Sequence, residues 1–450
     1  MSGHPLSLSR RRFLAVAAGA GLGALWLPGC GRGGRSADVD RQADLLAGGP
    51  LEYDGPHVDL DYWTGFTGGD RPFMEDLVAQ FNADHPNIDV QMNVIVWAEF
   101  YQKTPAAVRS GHGPDIGIMH VDQLATAAAH KTIVPLDGLA EAIGVRDGDF
   151  APAAWDAGVF LGKRYGVPLD VHPIGMYYNK AVLEEAGLDP ESPPQDRDQF
   201  LGALEELKAK GVQGFWVSPF LFTGGLMFQS LIGQFGGSLY NEDGTRATFG
   251  DEAGVETLEF MRSLIEQGYS AGNVGQDAEA IAFKNGQNAF IFTGNWSINE
   301  YGSTPGLEWG VAPLPVLGEE PAASAGSHQF VIMAQPSPDE NKLMASRAFI
   351  DWMSRRSLEW AKSGMVPARL DVVESDEFAA LEPQQAFAAE IPYLVFGPSL
   401  PGIEDVRRTT LDLAIQKAIL GQSSPEAALS SAAAQADILL EENRQKYEGV

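Results

Sequence analysis

The sequence predicts an α/β fold in two lobes, and two observations carry that prediction. The chain has 450 residues, more than one hydrophobic core usually covers, so its length favours two packed units over one. The segment from residue 58 to residue 120 alternates predicted strands with predicted helices, which is typical of a largely parallel sheet covered by helices on both faces. Hydrophobic residues make up 44% and charged residues 20% of the chain, as in ordinary soluble globular proteins.

The first 29 residues are predicted to be an export signal. Arg10–Arg12 precede an apolar run from Phe13 to Leu27, which is the layout of a signal peptide. The stretch Ser9–Leu14, SRRRFL, resembles the twin-arginine signal, and Leu27–Cys30, LPGC, resembles the lipobox of bacterial lipoproteins. We therefore expect twin-arginine export and lipidation of Cys30, the single cysteine of the chain. The product would be extracytoplasmic, anchored to the outer face of the bacterial cytoplasmic membrane or periplasmic.

Residues 30–56 are predicted to form a lipidated linker. They are rich in glycine and polar residues and show no sustained hydrophobic period, as expected of a tether between a lipid and a domain. Ordered structure is therefore expected to begin near Val58.

The charge balance excludes one class of partner. The whole chain has 31 basic and 60 acidic residues. Loss of residues 1–29 removes three arginines and no acids, so 28 basic residues remain against 60 acidic ones, a net charge of −32. Such a surface repels phosphate backbones, and we expect no nucleic acid partner.

Hydrophobic periodicity predicts the main elements in chain order. HVDLDYWT, after residue 56, predicts a strand, and Phe73, Leu77 and Phe81, spaced four residues apart, predict the following helix. NIDVQMNVIV alternates apolar and polar residues as a half-buried strand does, and PDIGIMH predicts the next strand. Later segments with the same signals are the helix Gln199–Lys210, the helix AGVETLEFMRSLIEQG, the strands NAFIFTG and HQFVIMAQ, and the helices DENKLMASRAFIDWMS and SPEAALSSAAAQADILLEEN.

The strand predicted over Tyr165–Lys180, YGVPLDVHPIGMYYNK, contains two polar residues that burial alone does not explain. Asp170 and His172 are two residues apart, so their side chains share one face of the strand. Because their neighbours are apolar, we expect this face to meet polar partners.

Sequence motifs argue against catalysis. A nucleotide-binding loop of the form G-x-x-x-x-G-K-[ST] is absent. The histidines include no H-E-x-x-H pair and no pairing with cysteine, and the nearness of His112, His120 and Asp122 in sequence is by itself weak support for a metal site, so no metal site and no cofactor is predicted. Ser270 lies in GYSAG, but a helix precedes it where a nucleophile elbow needs a strand. A carbohydrate-cleaving hydrolase with two carboxylates remains the alternative from another class.

Four segments place an aromatic residue beside Gly, Asn or Thr next to a predicted strand. They are YWTGFTGGD (62–70), WAEFYQK (97–103), FTGNWSIN (292–299) and SAGSHQF (324–330). In parallel α/β sheets, loops at strand ends line the ligand crevice. A tryptophan face can cover the C–H side of a sugar ring while carboxylates accept hydrogen bonds from its hydroxyls.

Eight segments together resemble, in order, the extracellular solute-binding proteins of ABC importers, in the sugar-binding family 1 that includes maltose-binding protein. They are GHGPDIGIMHVD, YGVPLDVHPIGMYYNK, FGGSLYNEDGTRATFGDEAGVETLEFM, FKNGQNAFIFTGNW, GVAPLPVLGE, AFIDWMS, VPARLDV and SPEAALSSA. The resemblance covers almost all of the chain after residue 57.

The resemblance implies a type II periplasmic-binding-protein fold, in which two α/β lobes, joined by a hinge of several segments, enclose an interlobe cleft. Lobe 1 would comprise residues 57–168 plus 326–354, and lobe 2 residues 171–324 plus 356–450. A monomer would bind a mono- or oligosaccharide in the cleft and present its closed form to membrane permease subunits.

The implied hinge explains the polar strand residues. The chain would cross between lobes near Pro168–Val171, near Ser324–Gln329 and near Ser354–Leu358. Asp170 and His172 would then lie beside the first crossing and face the cleft.

The resemblance also implies a set of ligand-binding residues. Asp122 lies where the family places a sugar-binding acid, Trp296 matches its stacking tryptophan, and Arg369 matches an arginine that some members direct at sugar hydroxyls. The complete set is Thr67, Tyr101, Asp122, Asp170, His172, Trp296, Gly326 and Arg369.

A glycerol-phosphate-type ligand is the alternative within binding proteins. It would need several cationic groups, for which Arg369 and either Arg407 or Arg408 are available. Asp122 and Asp170 favour a neutral polyol instead.

Overall fold

The computed structural model describes residues 32–448. The predicted signal peptide and Cys30 lie outside the described residues. Each strand and helix predicted between Val58 and the C-terminal helix is present close to its expected position.

Helices make up most of the regular structure. In chain order, those of residues 32–448 are α1 (Arg32–Ala47), α2 (Arg71–Asp84), α3 (Trp97–Ser110), α4 (Val121–Ala129), α5 (Asp137–Ala142), α6 (Pro152–Ala157), α7 (Lys180–Ala186), α8 (Arg197–Ala209), α9 (Leu226–Gln234), α10 (Glu252–Glu266), α11 (Ala278–Lys284), α12 (Ile298–Gly302), α13 (Glu340–Arg355), α14 (Ser357–Ala361), α15 (Leu370–Val373), α16 (Asp376–Ala379), α17 (Glu382–Ala388), α18 (Ile403–Thr409), α19 (Leu411–Ile419) and α20 (Pro425–Tyr447). Within this range, none combines the length and the hydropathy that crossing a bilayer requires.

The strands are short except for one. In chain order, those of the described range are β1 (Val58–Thr64), β2 (Ile88–Val94), β3 (Ile116–His120), β4 (Val159–Phe160), β5 (Lys163–Arg164), β6 (Val167–Pro168), β7 (Asp170–Asn179), β8 (Phe290–Gly294), β9 (Trp309–Ala312), β10 (Ala323–Gly326), β11 (His328–Ile332), β12 (Val366–Pro367) and β13 (Leu394–Val395).

The first large sheet has the strand order β2-β1-β3-β11-β6. β1 pairs in parallel with β2 and β3, as the alternation of strands and helices predicts. β11 arrives from much later in the chain and runs antiparallel to β3 and β6. β3 therefore ends at His120 directly opposite the start of β11, His328.

The second large sheet is organised around β7, whose ten residues are all buried. Its first half pairs with β12 and β10, and its second half pairs with β8 and β9. Burial on both faces explains the apolar run Ile174–Tyr178, whereas the polar Asp170 and His172 lie in the half that starts beside the first sheet.

Two chain crossings connect the sheets, close to the predicted positions. Leu169 alone separates β6 from β7, and Ser327 alone separates β10 from β11. The two crossings are adjacent, since the backbone N–H of Leu169 donates to the carbonyl oxygen of His328 at 2.8 Å.

The third crossing comes later than the predicted Ser354–Leu358. Those residues end α13 and begin α14, and Trp360 still packs in the first core. The chain reaches the second sheet at β12, where Val366 pairs with Val171 of β7.

Hydrophobic side chains form two large cores and one smaller cluster. The first core draws on residues 39–169 and 330–368, and the second on residues 174–323 and 403–440. The first core therefore extends past residue 354, the predicted end of lobe 1. The predicted lobe boundaries as a whole stay a prediction.

The N-terminal segment differs from the expected tether. Residues from Arg32 to Ala47 form α1, and Val39, Gln42 and Leu46 are buried against the first core. The Gln42 side-chain amide donates to the carbonyl oxygen of Met333 at 3.2 Å and accepts from the backbone of Gln335 at 2.7 Å. The sequence pattern does not predict this helix, because only a narrow stripe of its residues contacts the first core and the rest of the segment is Gly-rich and polar.

Candidate ligand site between the lobes

The structure brings five of the eight predicted site residues to one place between the two sheets. Tyr101 bonds to His120, whose ring lies 5.6 Å from that of His172. His172 in turn bonds to Asp170, contacts Trp296 and pairs with Gly326 across the strands. The five are Tyr101, Asp170, His172, Trp296 and Gly326.

Asp170 is completely buried at the first crossing and accepts hydrogen bonds from three residues. One carboxylate oxygen, Oδ1, accepts from the backbone N–H of His328 at 3.0 Å and lies 3.3 Å from Nδ1 of His172. The other, Oδ2, accepts from the Trp360 indole at 2.7 Å and from Nδ1 of His328 at 2.8 Å. We call Asp170, His172, His328 and Trp360 the hinge group.

The predicted contact between Asp170 and a ligand is corrected by this geometry. Its exposed fraction is 0%, and protein donors already use both oxygens. Burial by itself would raise the pKa of Asp170, but the imidazoles of His328 and His172 hold that pKa well below its ordinary value. Asp170 is a charged positioning residue that fixes two histidines and the two crossing strands.

Three histidines surround this point. Burial lowers the pKa of His120 well below its ordinary value, and the rings of His328 and His172 lower it further. Burial also lowers the pKa of His172, and the neighbouring ring of His328 lowers it further. The Tyr101 hydroxyl lies 2.6 Å from Nδ1 of His120 and accepts from the His120 backbone N–H at 3.0 Å. Tyr101 therefore fixes His120 as Asp170 fixes the other two.

Aromatic faces continue from the histidines along the boundary between the lobes. Trp97 stacks on Tyr101 and on His328, with interplanar angles of 16° in both cases. Trp296 lies 6.1 Å from His172 and packs against both large cores. Both indoles are half-buried, so each keeps part of its ring surface accessible.

Two glycines make room for these rings. A Cβ atom at Gly326 would lie 2.2 Å from Nε2 of His172, and one at Gly65 would lie 2.0 Å from the Trp97 ring. Side chains at either position would displace the ring beside it. Gly326 is thus part of the site through its missing side chain.

Thr67 and Arg369 are not brought into this group. Thr67 is exposed in the loop between β1 and α2. The Arg369 guanidinium pairs with Asp371 at 2.9 Å, lies 3.4 Å from the Ser354 hydroxyl and stands over the ring of Phe150. None of these partners is one of the five residues above.

Asp122 belongs to a second polar group, made of residues from both cores. It lies at the start of α4, two residues after His120, and interacts electrostatically with Glu404 and Arg407 of α18. The remaining members are Asp412 of α19 and Tyr240 in the loop after α9, which interact with the same two residues. We call Asp122, Tyr240, Glu404, Arg407 and Asp412 the interlobe acidic group.

Charge and burial perturb this group strongly. Burial and the charge of Glu404 raise the pKa of Asp122 to about 7, although Arg407 acts in the opposite direction. Burial also raises the pKa of Asp412 to about 6, against the effect of Arg407. Arg407 is the one cation of this group, and its guanidinium already binds the Glu404 carboxylate at 2.6 Å.

Several polar atoms of the interlobe acidic group are buried without a hydrogen-bond partner in the protein. They are Oδ1 of Asp122, the Tyr240 hydroxyl, Nε of Arg407 and both carboxylate oxygens of Asp412. Buried polar atoms are rarely left unpaired in folded proteins. Their concentration at one place, on elements of both cores, indicates a site that completes its hydrogen bonds with ligand or water.

The two lobes touch directly beside this group. The backbone N–H of Gly402, just before α18, donates to the Thr126 hydroxyl of α4 at 2.9 Å. α4 belongs to the first core and α18 to the second, so a hinge motion that separates the lobes would break this bond and open the interlobe acidic group.

Sequence reasoning missed five residues of these two groups. His328 lies in a segment whose aromatic and glycine content did mark it. The others, Trp360, Tyr240, Glu404 and Asp412, carried no signal, because helical or loop position gives no indication of which distant side chain a residue meets.

A family model for the bacterial extracellular solute-binding protein matches residues 64–357. This span covers both crossings, the three histidines and Trp296. The chain belongs to this family.

Relatives of this solute-binding protein match along most of their length. A binding protein of Brucella abortus is 26% identical over 379 residues, which covers 82% of this chain and 90% of that protein. The sn-glycerol-3-phosphate-binding periplasmic protein UgpB of Escherichia coli is 23% identical over 420 residues, covering 85% of this chain and 92% of UgpB. The crystal structure of the cyclic alpha-maltosyl-1,6-maltose binding protein from Arthrobacter globiformis superposes with a TM-score of 0.75 at 24% identity, covering 86% of this chain and 100% of that one.

Membership of the extracellular solute-binding family confirms the predicted class and its extracytoplasmic location. The structural match confirms the α/β fold of the type II periplasmic binding proteins. Ser270, in the GYSAG motif, is buried, accepts from the backbone of Val217 at 2.8 Å and donates to the carbonyl oxygen of Ala271 at 3.0 Å. Its hydroxyl is a structural hydrogen-bonding group at the end of α10.

Proposed function

We propose that this solute-binding protein captures a neutral sugar between its lobes and delivers it to the membrane permease subunits of an ABC importer. The observation that carries the proposal is the set of unpaired carboxylate oxygens on both lobes, Asp122 on one side and Asp412 on the other.

Unpaired carboxylate oxygens select for hydroxyl donors. A carboxylate accepts hydrogen bonds only, and Asp122 and Asp412 offer three unpartnered oxygens. A sugar ring presents several hydroxyls that can donate to them at once. Hydrogen bonds to charged acceptors are stronger than neutral ones. Asp412, with a pKa of about 6, is mostly ionised at pH 7.5, whereas Asp122, with a pKa of about 7, is partly protonated and can also donate to a sugar oxygen.

The charge of the site disfavours an anionic ligand. The interlobe acidic group has three carboxyl groups and one guanidinium, and Arg407 is already paired with Glu404. Asp122, with a pKa of about 7, is partly neutral near pH 7, but Glu404 and Asp412 keep the group acidic even with Arg408 nearby. A phosphate would approach uncompensated negative charge in a partly desolvated place, where repulsion is poorly screened. This separates the present site from a glycerol-phosphate site, which would need free cationic groups.

Trp296 would supply the apolar half of the site. It packs against both cores and lies on the His172 side of the boundary. An indole face can cover the C–H side of a sugar ring. The Arthrobacter protein, which shares the fold, binds cyclic alpha-maltosyl-1,6-maltose, and this supports a sugar ligand here.

The mechanism would be conformational. The bond from Gly402 to Thr126 and the interlobe acidic group join α18 to α4 only when the lobes are close. A ligand that bridges Asp122 and Asp412 would favour that closed state, because it binds the closed state better than the open one. Permease subunits would recognise the closed form.

Export and anchoring complete the proposal. The SRRRFL and LPGC segments support twin-arginine export and lipidation of Cys30. A lipid at Cys30 would tie α1 and the first core, against which α1 packs, to the membrane surface. A monomer is proposed as the functional unit.

A ligand screen by thermal shift tests the proposal. Monosaccharides, linear and cyclic maltose-type oligosaccharides, sugar alcohols and sn-glycerol 3-phosphate are each added to the purified protein, because a ligand that binds only the native state raises the melting temperature. We expect a shift with a neutral sugar and none with glycerol phosphate. A shift with glycerol phosphate alone would overturn the neutral-sugar proposal.

Trp296→Ala then tests the site. Calorimetric titration with the sugar found in the screen is expected to show a loss of on the order of 2 kcal/mol in binding free energy, as for a central aromatic anchor. Trp352→Ala is the matched control, because Trp352 is also half-buried but bonds to Asp84 on the far side of the first core. Equal affinity of the two variants would remove Trp296 from the site.

A further inference from the structure

The three histidines around the hinge come from three separate segments and converge. His120 ends β3, His172 lies in β7 and His328 begins β11. One nitrogen of each ring lies within 4.8 Å of one nitrogen of each of the other two. Ring centroids are separated by 4.4 Å for His172 and His328 and by 4.8 Å for His120 and His328. We call His120, His172 and His328 the three-histidine cluster.

From this cluster we propose that the protein has a site for a divalent transition-metal ion, of the Zn²⁺ class, held by His120, His172 and His328 at the base of the cleft. The sequence pattern, in contrast, predicts no metal site. Spacing along the chain could not indicate this site, because its ligands come from three distant segments.

The orientation of each ring supports this proposal. Nδ1 of His328 lies 2.8 Å from an Asp170 oxygen, and Nδ1 of His172 lies 3.3 Å from the other one. Nδ1 of His120 lies 2.6 Å from the Tyr101 oxygen. That oxygen has two lone pairs, so it can accept one hydrogen bond from Nδ1 and a second from the backbone N–H of His120. Ligation through Nε2 would keep every one of these bonds.

Metal-binding histidines commonly have this arrangement. Their second ring N–H donates to a carboxylate or another oxygen, which fixes the tautomer and the ring orientation. Here Asp170 lies within hydrogen-bond distance of Nδ1 of His172 and His328, and the Tyr101 oxygen of Nδ1 of His120, so these oxygens would accept in that way when Nε2 of each ring binds the ion. Hydrogen bonding between strands alone would not require one nitrogen of each of three imidazole rings to lie within 4.8 Å of the other two.

The chemistry of the ligands limits the class of ion. Neutral imidazole suits Zn²⁺, Cu²⁺ and Ni²⁺, whereas Ca²⁺ and Mg²⁺ take oxygen ligands. Three histidines leave one position of a tetrahedral ion open for water or another oxygen ligand. A hydroxyl of a bound ligand could occupy that position.

The geometry requires a modest adjustment. With Zn–N bonds of 2.0–2.1 Å, the nitrogens of a tetrahedral site stand about 3.3 Å apart. The nitrogens of the cluster would therefore approach one another by up to about 1.5 Å from the 4.8 Å limit. Nε2 of His172 lies directly against Gly326, where a Cβ atom would come within 2.2 Å of it, so this position has to remain glycine.

The consequence would be a link across the fold. β3 belongs to the first sheet, and β7 and β11 each begin at a chain crossing. An ion bound to all three would hold the end of the first sheet to both crossings.

Calorimetric titration of the chelator-treated full-length protein with ZnCl₂ tests this inference, with MgCl₂ as the hard-cation control. We expect one Zn²⁺ per chain and no binding of Mg²⁺. Titration with CoCl₂, followed by visible absorption, is an independent measurement, because four- or five-coordinate Co²⁺ with nitrogen ligands gives strong ligand-field bands. Absence of stoichiometric Zn²⁺ binding would overturn the proposal and leave the cluster as a hydrogen-bonding group only.

Variants identify the ligands. His172→Asn keeps an N–H near the Nδ1 position, so the bond to Asp170 can survive, and it removes Nε2. We expect about a 100-fold or greater loss of Zn²⁺ affinity and loss of the Co²⁺ bands. His120→Asn, at a half-exposed position, is the second variant in case the first does not fold, as judged by its metal-free melting curve.

His112→Gln is the matched control. His112 is exposed on the loop after α3, where it lies 3.3 Å from the Ser110 hydroxyl, and it should leave Zn²⁺ affinity unchanged. Equal Zn²⁺ binding by the cluster variants and the wild type would show that an adventitious surface site holds the ion, and would overturn the proposal. None of these outcomes depends on which sugar the protein binds, so the proposed function can fail or hold independently.

Discussion

The hinge group and the interlobe acidic group both lie between the lobes, but their hydrogen bonding differs. In the hinge group, both oxygens of Asp170 accept from protein donors, and its exposed fraction is zero. In the interlobe acidic group, both oxygens of Asp412 and one of Asp122 have no partner among the described residues. Aspartate side chains therefore have two different roles at the boundary between the lobes, fully hydrogen-bonded in one group and partly unpaired in the other.

The difference separates scaffold from binding surface. A buried carboxylate with all its hydrogen bonds made contributes to stability, because removing it leaves several donors unpaired. A buried carboxylate without partners costs stability in the free protein. Such a cost is tolerated where a ligand supplies the missing donors, and this is why Asp122 and Asp412, and not Asp170, are proposed to bind the sugar.

Asp170→Ala should give the largest effect on stability. It removes the acceptor of the His328 backbone, the His328 ring and the Trp360 indole. We expect a loss of about 3–5 kcal/mol in the free energy of unfolding, measured by urea denaturation without ligand. Asp412→Ala is the comparison, and it should cost less than about 1 kcal/mol, because no hydrogen bond within the protein is lost. Equal losses would show that the two groups do not differ as described.

Two tyrosines offer a sharper comparison, because only a hydroxyl is removed. The Tyr101 hydroxyl bonds to the His120 ring and backbone, whereas the Tyr240 hydroxyl is buried and unpaired. Tyr101→Phe should lower the free energy of unfolding by about 1–3 kcal/mol, and Tyr240→Phe should leave it unchanged or raise it. Sugar affinity, measured by calorimetry, should fall in Tyr240→Phe. Retention of full affinity would take Tyr240 out of the ligand site.

The pH dependence of stability tests Asp412 further. Burial raises its pKa in the folded protein to about 6, above the ordinary value near 4 of an unfolded chain. Its contribution to stability is therefore fully present below the ordinary value and is lost as the pH rises through about 6. Asp412→Asn, which resembles the protonated form, should gain on the order of 1 kcal/mol over the wild type at pH 7.5 and little at pH 4. A gain that is larger at pH 4 would contradict the raised pKa of Asp412.

Arg369→Ala should give the smallest effect on ligand affinity. Asp371 and Ser354 already hold the guanidinium, apart from the residues that converge at the hinge. We expect a change within about twofold in sugar affinity, as for the loss of a partly exposed ion pair. Arg407→Gln should act more strongly, because Arg407 interacts electrostatically with Asp122, Glu404 and Asp412. A large loss in Arg369→Ala would restore the role that the family resemblance implied.

Much of the fold could be predicted from the sequence, because its signals are local. The alternation in NIDVQMNVIV and the four-residue spacing of Phe73, Leu77 and Phe81 gave strand β2 and helix α2. The two crossings beside Asp170 and His328 followed from the family resemblance. The helix α1 did not, because only its contact with the first core distinguishes Val39, Gln42 and Leu46 from linker residues.

The site was predictable in part. Tyr101, His172 and Trp296 belong to one chain of neighbouring rings that runs through His120, with Tyr101 in helix α3, His172 near the start of β7 and Trp296 just after β8. Their binding of a ligand stays a prediction. The role of Asp170 was different from the prediction, because nothing in the local pattern shows that His328 and Trp360 would fill its lone pairs.

The sequence by itself determined the family, the order of strands and helices, and the polar face of β7. These depend on residues near one another in the chain, whose spacing sets which side of an element is buried. Only the tertiary structure decided which polar atoms are paired, which carboxylates are left open, and that His120, His172 and His328 share one centre. Those properties depend on distances between segments that the chain brings together only when both cores have packed.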